Sequence, residues 1–196
     1  MIQEQLLKNI RKHIEPGAAA LDYFMSLLSY KEIPKKTSVL KSGQACKYIS
    51  YVHSGALRAY YADAQGKEST IMFAVADWWI TDMYCFLNSC PAMMDIETIE
   101  DSCIFQLSRN QLEKLYSKVP MFERFFRILM QNAYTREQLR IIESLSLPAL
   151  DRYNNFLLKY PHIAQQVTQK QIASYLGITP EFLSTLRKTN TRKKIS

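Results

Sequence analysis

Glu181, Ser184, Thr185 and Lys188 fall on one side of a helix when each residue turns it by about 100°, with Leu183 and Leu186 on the other. That set suits the edge of a DNA groove. A carboxylate accepts from cytosine N4, hydroxyls serve donor or acceptor edges, and a lysine meets guanine or phosphate. The surrounding charge is one-sided: from Thr168 to Ser196 the chain has Lys170, Arg187, Lys188, Arg192, Lys193 and Lys194 against Glu181 alone. This segment carries most of the formal net charge of +7. A basic cluster on a small unit attracts a phosphate backbone, and Arg192, Lys193 and Lys194 read as a flexible tail that grips phosphates.

Such residues need a rigid support, and the stretch "VTQKQIASYLGITPEFLSTLRK", Val167 to Lys188, provides one. Thr168 and Gln171 have capping-box spacing, so a helix should run from Gln169 to Gly177, where a glycine tolerates the left-handed conformation of a helix end. A second helix starts at once. Thr179 is a good N-cap, and Pro180 sits where a missing N–H costs nothing. The turn is too short for the helices to run antiparallel. Ala173 is small where they cross, and Ile172, Leu176, Ile178, Leu183 and Leu186 can share a core. This is a helix-turn-helix pattern; two helices of a plain bundle would not need the basic residues that follow. Thr168, Gln169 and Thr179 at the helix starts join Glu181, Ser184, Thr185, Arg187, Lys188, Arg192, Lys193 and Lys194 as candidate DNA contacts.

Upstream, helical spacing returns in "RNQLEKLYSKVPMFERFFRILMQNAYTREQLRIIESLSL", where Pro120 suits a helix first turn; this predicts one long helix from about Pro120, ending before Pro148. About 25 residues of helix span nearly 40 Å, more than a small domain needs for its own core. The surplus apolar surface along Phe122, Phe126, Leu129, Ala133, Leu139 and Ile142 points to a second copy of the chain. Phe125, Phe126 and Met130 could equally pack on the preceding unit, since different faces can do both. That unit opens with two short helices around Leu6 to Ile14 and Leu21 to Leu28. From Ile33 onward, "YISYVH", "ALRAYY", "STIMFAV", "DIETIE" and "CIFQLS", cut by Gly43, Gly55 and Gly66, read as antiparallel strands with tight turns.

At 196 residues and 47% apolar, the chain can bury a real core. The start "MIQEQLLKNIRK" lacks the apolar run of a secretory signal, and no stretch approaches the roughly 18 apolar residues of a membrane span. A cytoplasmic protein without membrane contact is expected. Cys46, Cys85, Cys90 and Cys103 lack C-x-x-C spacing and read as free thiols. His13, His53 and His162 are too scattered for a metal site, and no nucleophile elbow, phosphate loop or dinucleotide fingerprint occurs. Neither a metal, a cofactor nor an enzyme activity is expected.

The order of these parts resembles the Crp/Fnr transcription regulators, the group of the cyclic-AMP receptor protein. "VHSGALRAYYADAQGKE" looks like the family's strand-Gly-strand-Gly-Glu segment, and the helix-turn-helix looks like its DNA-reading element. The resemblance covers almost the whole chain. It implies an α+β protein: a cyclic-nucleotide-binding-like double-stranded β-helix, or jelly roll, over residues 1–117, a dimerisation helix over 118–147 and a helix-turn-helix domain over 148–196. It further implies a homodimer on near-palindromic double-stranded DNA, with RNA polymerase as a further candidate partner.

The sequence departs from that family in three places. Relatives that bind cyclic nucleotides grip the ribose with Gly-Glu and the phosphate with Arg followed by Ser or Thr and Ala. Here Glu68 to Ser108 contains no Lys or Arg, and a buried phosphate without a cation is costly. Cyclic AMP and cyclic GMP are therefore not expected to bind, unless Arg58 reaches in from a neighbouring strand. Trp78, Trp79, Met83, Tyr84, Phe86, Met93 and Met94 could line a pocket for an apolar effector, or could fill the barrel themselves. In the reading helix, Pro180 and Thr185 replace arginines common in the family, while Glu181 matches, so the operator should differ. Finally, "TNTRKKIS" is too short for the usual β-hairpin wing. The rival reading is an interaction module whose helix-turn-helix docks a protein.

Overall fold

The structure, a computed structural model, describes residues 2–193. Two helices, α1 (Ile2–Arg11) and α2 (Ala18–Ser26), precede five strands, β1 (Ser29–Ile33), β2 (Ser38–Leu40), β3 (Tyr48–Ser54), β4 (Ala56–Ala62) and β5 (Glu68–Val75). Next come β6 (Trp79–Ile80), helix α3 (Met83–Asn88), β7 (Asp95–Thr98) and β8 (Ser102–Ser108). The rest is helical: α4 (Arg109–Lys118), α5 (Met121–Ser146), α6 (Ala149–Lys159), α7 (Ile163–Gln166), α8 (Gln169–Leu176) and α9 (Pro180–Lys193).

The strands form two antiparallel four-stranded sheets, ordered β1-β8-β3-β6 and β2-β7-β4-β5, the expected jelly roll. Alternation explains the layering. Val52, Leu57, Ala59, Ala74, Ile96 and Ile104 pack between the sheets, where a period of two places every second side chain. Gly55 makes the β3–β4 turn with φ +82°, and a Cβ there would lie 2.5 Å from the Asp101 carbonyl and 2.7 Å from the Ser102 Cα. Only glycine allows that approach without moving the backbone.

Two further clusters fix the helices. Leu6, Ile10, Phe24, Leu115, Phe122 and Phe125 join α1, α2, α4 and the start of α5 to the first sheet. Phe73 of β5 meets Phe156, Tyr160 and Tyr175 at ring separations of 5.9, 5.8 and 5.4 Å, which seats the terminal helices on the second sheet.

The expected long helix is α5, 26 residues from Met121 to Ser146 with Pro120 at its start; α4 is separated from it at Val119 (φ −136°, ψ 76°), because the residue before Pro120 is pushed out of the α region. Part of the expected dimer face turns inward. Phe122 and Phe126 are 0% and 4% exposed in their own core, and Leu129 and Ala133 face a cavity beside β6. Leu139 faces a second cavity toward α6 and α8. Of the six residues, Ile142 stands exposed outside both cavities. The exposed apolar stripe is instead Tyr134, Ile141, Ile142 and Leu145, the last 84% exposed. Tyr134 and Ile141 lie one heptad apart, with Leu145 following at the next seam position, the spacing of helices that pair along a seam.

Candidate nucleic-acid interface and sensor cavity

The terminal helices carry the caps that the sequence predicts. Thr168 Oγ1 accepts from the Gln171 N–H at 3.2 Å, and Gln171 Oε1 accepts from the Thr168 N–H at 2.9 Å. Gly177 ends α8 with φ +68°. Thr179 Oγ1 accepts from the Phe182 N–H at 3.2 Å. Ile172, Ala173, Leu176 and Leu183 are buried together, so α9 is held across α8 by a shared core. Thr168, Gln169, Thr179, Glu181, Thr185, Arg187 and Lys188 are exposed, and Ser184 is half-buried. The Thr185 hydroxyl donates to the Glu181 carbonyl at 3.2 Å.

One expectation changes here. The residues after Lys188 were expected to form a flexible tail, but α9 continues as helix through Lys193. Arg192 and Lys193 therefore fall in its last turn, while Lys194 lies outside the described residues. Sequence reasoning also missed Phe182, which is 48% exposed beside Glu181 and Thr185. Leu183, its neighbour, takes the core position at 0% exposure.

In the β unit, a cavity of about 940 Å³ opens between the strands and α5. Trp78, Trp79, Met83, Tyr84, Met93 and Met94 line it, with Met130. Phe86 does not; it is 1% exposed in the core, because α3 turns its Cys85–Phe86 side inward. Arg58 does not reach in either. It stands opposite Glu97 in the β4–β7 register, its Nη2 2.7 Å from Glu97 and its Nη1 2.8 Å from Glu68. Its guanidinium also lies 4.0 Å over the Tyr60 ring.

The second group that sequence reasoning missed is Asp82. This carboxylate is fully buried and turned inward. Its Oδ1 accepts from the Cys85 N–H at 3.3 Å, and its Oδ2 from the N–H groups of Met93 and Met94 at 2.8 and 3.1 Å. An anion held by several backbone N–H groups is well satisfied without a cation. Burial and the neighbouring Cys90 thiol push the Cys85 thiol beside it up to about 12. Among the described residues no group of His, Cys, Asp or Glu could hold a metal ion.

Residues 30–119 match the family described as the cyclic nucleotide-binding domain. That match takes in the strands of the β unit. Beyond this domain, solved structures align with nearly the whole chain. The c-di-GMP responsive global regulator CLP of Xanthomonas campestris has a TM-score of 0.73 at 16% identity, over 91% of this chain and 93% of its own. FixK2 of Bradyrhizobium japonicum gives 0.74 at 19%, over 86% of each chain. A Crp/Fnr-family chain from Eubacterium rectale gives 0.73 at 18%, over 91% and 85%. No curated protein matches the sequence significantly. The cyclic nucleotide-binding domain thus sits in a chain with the fold of the Crp/Fnr regulators. No described helix is long and apolar enough to cross a membrane.

Proposed function

We propose that this chain is a DNA-binding transcriptional regulator of the Crp/Fnr type, acting as a homodimer and not responding to cyclic AMP. The observation that carries the reading is the capped α8–α9 pair, whose core is shared and whose outer face presents Glu181, Phe182, Thr185 and Lys188. The α9 face reads base edges in the major groove. The exposed start of α8 at Thr168 and Gln169 approaches phosphate, as helix N-termini do. Two copies join along the Tyr134, Ile141, Ile142 and Leu145 stripe, so that two α9 helices meet successive half-sites. RNA polymerase is the protein such a dimer would meet at a promoter, and no enzyme activity or metal is part of the reading.

The insensitivity to cyclic AMP rests on Asp82. The backbone donors of the Met93–Met94 loop are already taken by its carboxylate, and Arg58 is committed to Glu68 and Glu97. At that loop a nucleotide phosphate would have to displace the Asp82 carboxylate, and the cation on the cavity wall, Arg136, stands on α5, stacked on the Trp78 ring. The cavity above that loop suits an apolar effector instead.

Retention on sheared DNA tests the reading. Elution should shift steeply with salt, as counterion release requires. Exposed Phe182 favours one alternative, a helix-turn-helix that docks a protein through an aromatic anchor; absence of DNA retention at low salt would favour it. Calorimetry with cyclic AMP should be silent, and a micromolar isotherm would contradict the role given to Asp82.

A further inference from the structure

A second cavity, of about 860 Å³, lies where three parts of the chain meet: β5, the second half of α5, and α6 with α8. It adjoins the sensor cavity, with which it shares Ile71 and Arg136, and the rest of its lining is of another kind. Arg136, Arg140, Arg152 and Lys159 border it against one carboxylate, Glu143. That carboxylate is occupied, since Asn155 Nδ2 donates to it at 3.1 Å. Arg140 is paired with Glu137 at 2.9 Å, and Arg152 donates to the Ser144 and Leu147 carbonyls.

The other two cations have no carboxylate. Arg136 stacks at 4.1 Å on the Trp78 ring, and the Lys159 ammonium lies 5.2 Å over Tyr160. Among the described residues neither forms an ion pair. Desolvation, followed by the Arg136 guanidinium, holds the Lys159 ammonium below the usual lysine range. Two unpaired cations that disfavour each other are a place where an added anion is stabilised. On the same wall, Leu139 and Leu158 are 61% and 81% exposed, with Ile71 beside them. A further polar group is unsatisfied: Thr70 Oγ1, on the β5 wall, is buried without a hydrogen-bond partner.

We infer that this cavity binds an amphipathic organic anion, with its apolar part on Ile71, Leu139 and Leu158 and its charged head between Arg136 and Lys159. The site bridges the seam that seats the helix-turn-helix. There Ser174 Oγ of α8 accepts from the Thr70 N–H at 2.7 Å and donates to the Glu68 carbonyl at 2.8 Å. A ligand touching β5, α5 and α8 together favours this docked arrangement over any other, so it shifts the population of DNA-reading orientations. That consequence rests on the regulator reading; the site itself does not.

The test is calorimetry of the full chain with decanoate and decyl phosphate, and with decanol as the uncharged control. One decanoate or decyl phosphate per chain is expected. Lys159→Gln and Arg136→Gln should each weaken it about tenfold, the loss of one charge-assisted contact, without changing the response to decanol. Leu158→Ser, at an exposed position, should weaken all three. The site is overturned if neither anion binds, or if both bind the Gln variants as tightly as the unmodified chain. Retention of the ligand-free proteins on DNA is measured alongside. Failure there with decanoate still bound sinks the regulator reading and leaves the site, whereas the reverse result does the opposite.

Discussion

On the outer side of α8 and α9, Gln169, Glu181, Thr185 and Lys188 stand exposed, while Ile172, Ala173, Leu176 and Leu183 close a small shared core. Between Thr81 and Met94 the arrangement is inverted: the carboxylate of Asp82 is buried on three backbone N–H groups, while Tyr84 and Met93 are exposed. One region keeps its polar groups available to a partner, and the other has consumed them internally. A β unit that matches the cyclic nucleotide-binding family can thus keep its jelly roll while an internal carboxylate occupies the donors of the loop. In the function proposed above, the wiring of this loop decides what the barrel can hold.

Removing the inward carboxylate should have the largest effect. Asp82→Ala leaves the N–H groups of Cys85, Met93 and Met94 without their acceptor, and we expect a loss of about 3–5 kcal/mol in urea unfolding. Asp82→Asn keeps one acceptor oxygen and should lose less. If Asp82→Ala is neutral, the loop has other acceptors and the contrast between the two regions disappears. Leu145→Asp comes next. We expect sedimentation to show a monomer whose unfolding free energy is within about 0.5 kcal/mol of the original, as for an exposed position. A dimer that survives would move the interface off this stripe.

Smaller effects should separate contacts on the outward face. Phe182→Ala should lower discrimination at one operator position by about 1 kcal/mol, consistent with a ring against a thymine methyl. Its effect on stability should be negligible. Lys188→Ala should weaken binding to all sequences and reduce the salt slope by about one. If Lys188→Ala instead changes base preference, the division into phosphate and base contacts on α9 is wrong.

The outward face was largely legible in the sequence because its determinants are local. Thr168 with Gln171, Gly177, and Thr179 with Pro180 are each specified within a few residues, and the structure places every one of those caps. The antiparallel β unit was legible from short β-branched and aromatic runs and glycine turns, with Gly55 at the tightest, and its jelly-roll form followed from the resemblance to the Crp/Fnr regulators. What the sequence hid was pairing across distance. Nothing near Arg58 says that Glu68 and Glu97 will claim it, and nothing near Asp82 says that Met93 and Met94 will fold back onto it. The two faces of α5 were mixed for a related reason: an amphipathic helix shows its stripes, but not which stripe its own barrel will cover. Phe122 and Phe126 went inward, and Tyr134, Ile141, Ile142 and Leu145 stayed out.

The most direct measurement is a selection of bound sequences from a random DNA pool, run with the original protein and with Glu181→Ala. We expect the original to enrich a near-palindrome whose half-sites lie about one helical turn apart, as two symmetry-related α9 helices require. Glu181 can offset its repulsion from phosphate only by accepting a hydrogen bond from a base. Glu181→Ala should therefore keep or raise non-specific affinity while losing about 1–3 kcal/mol of discrimination at one position of each half-site. No enriched sequence, or an unchanged preference at every position in the variant, would contradict the assignment of α9 as the element that reads DNA.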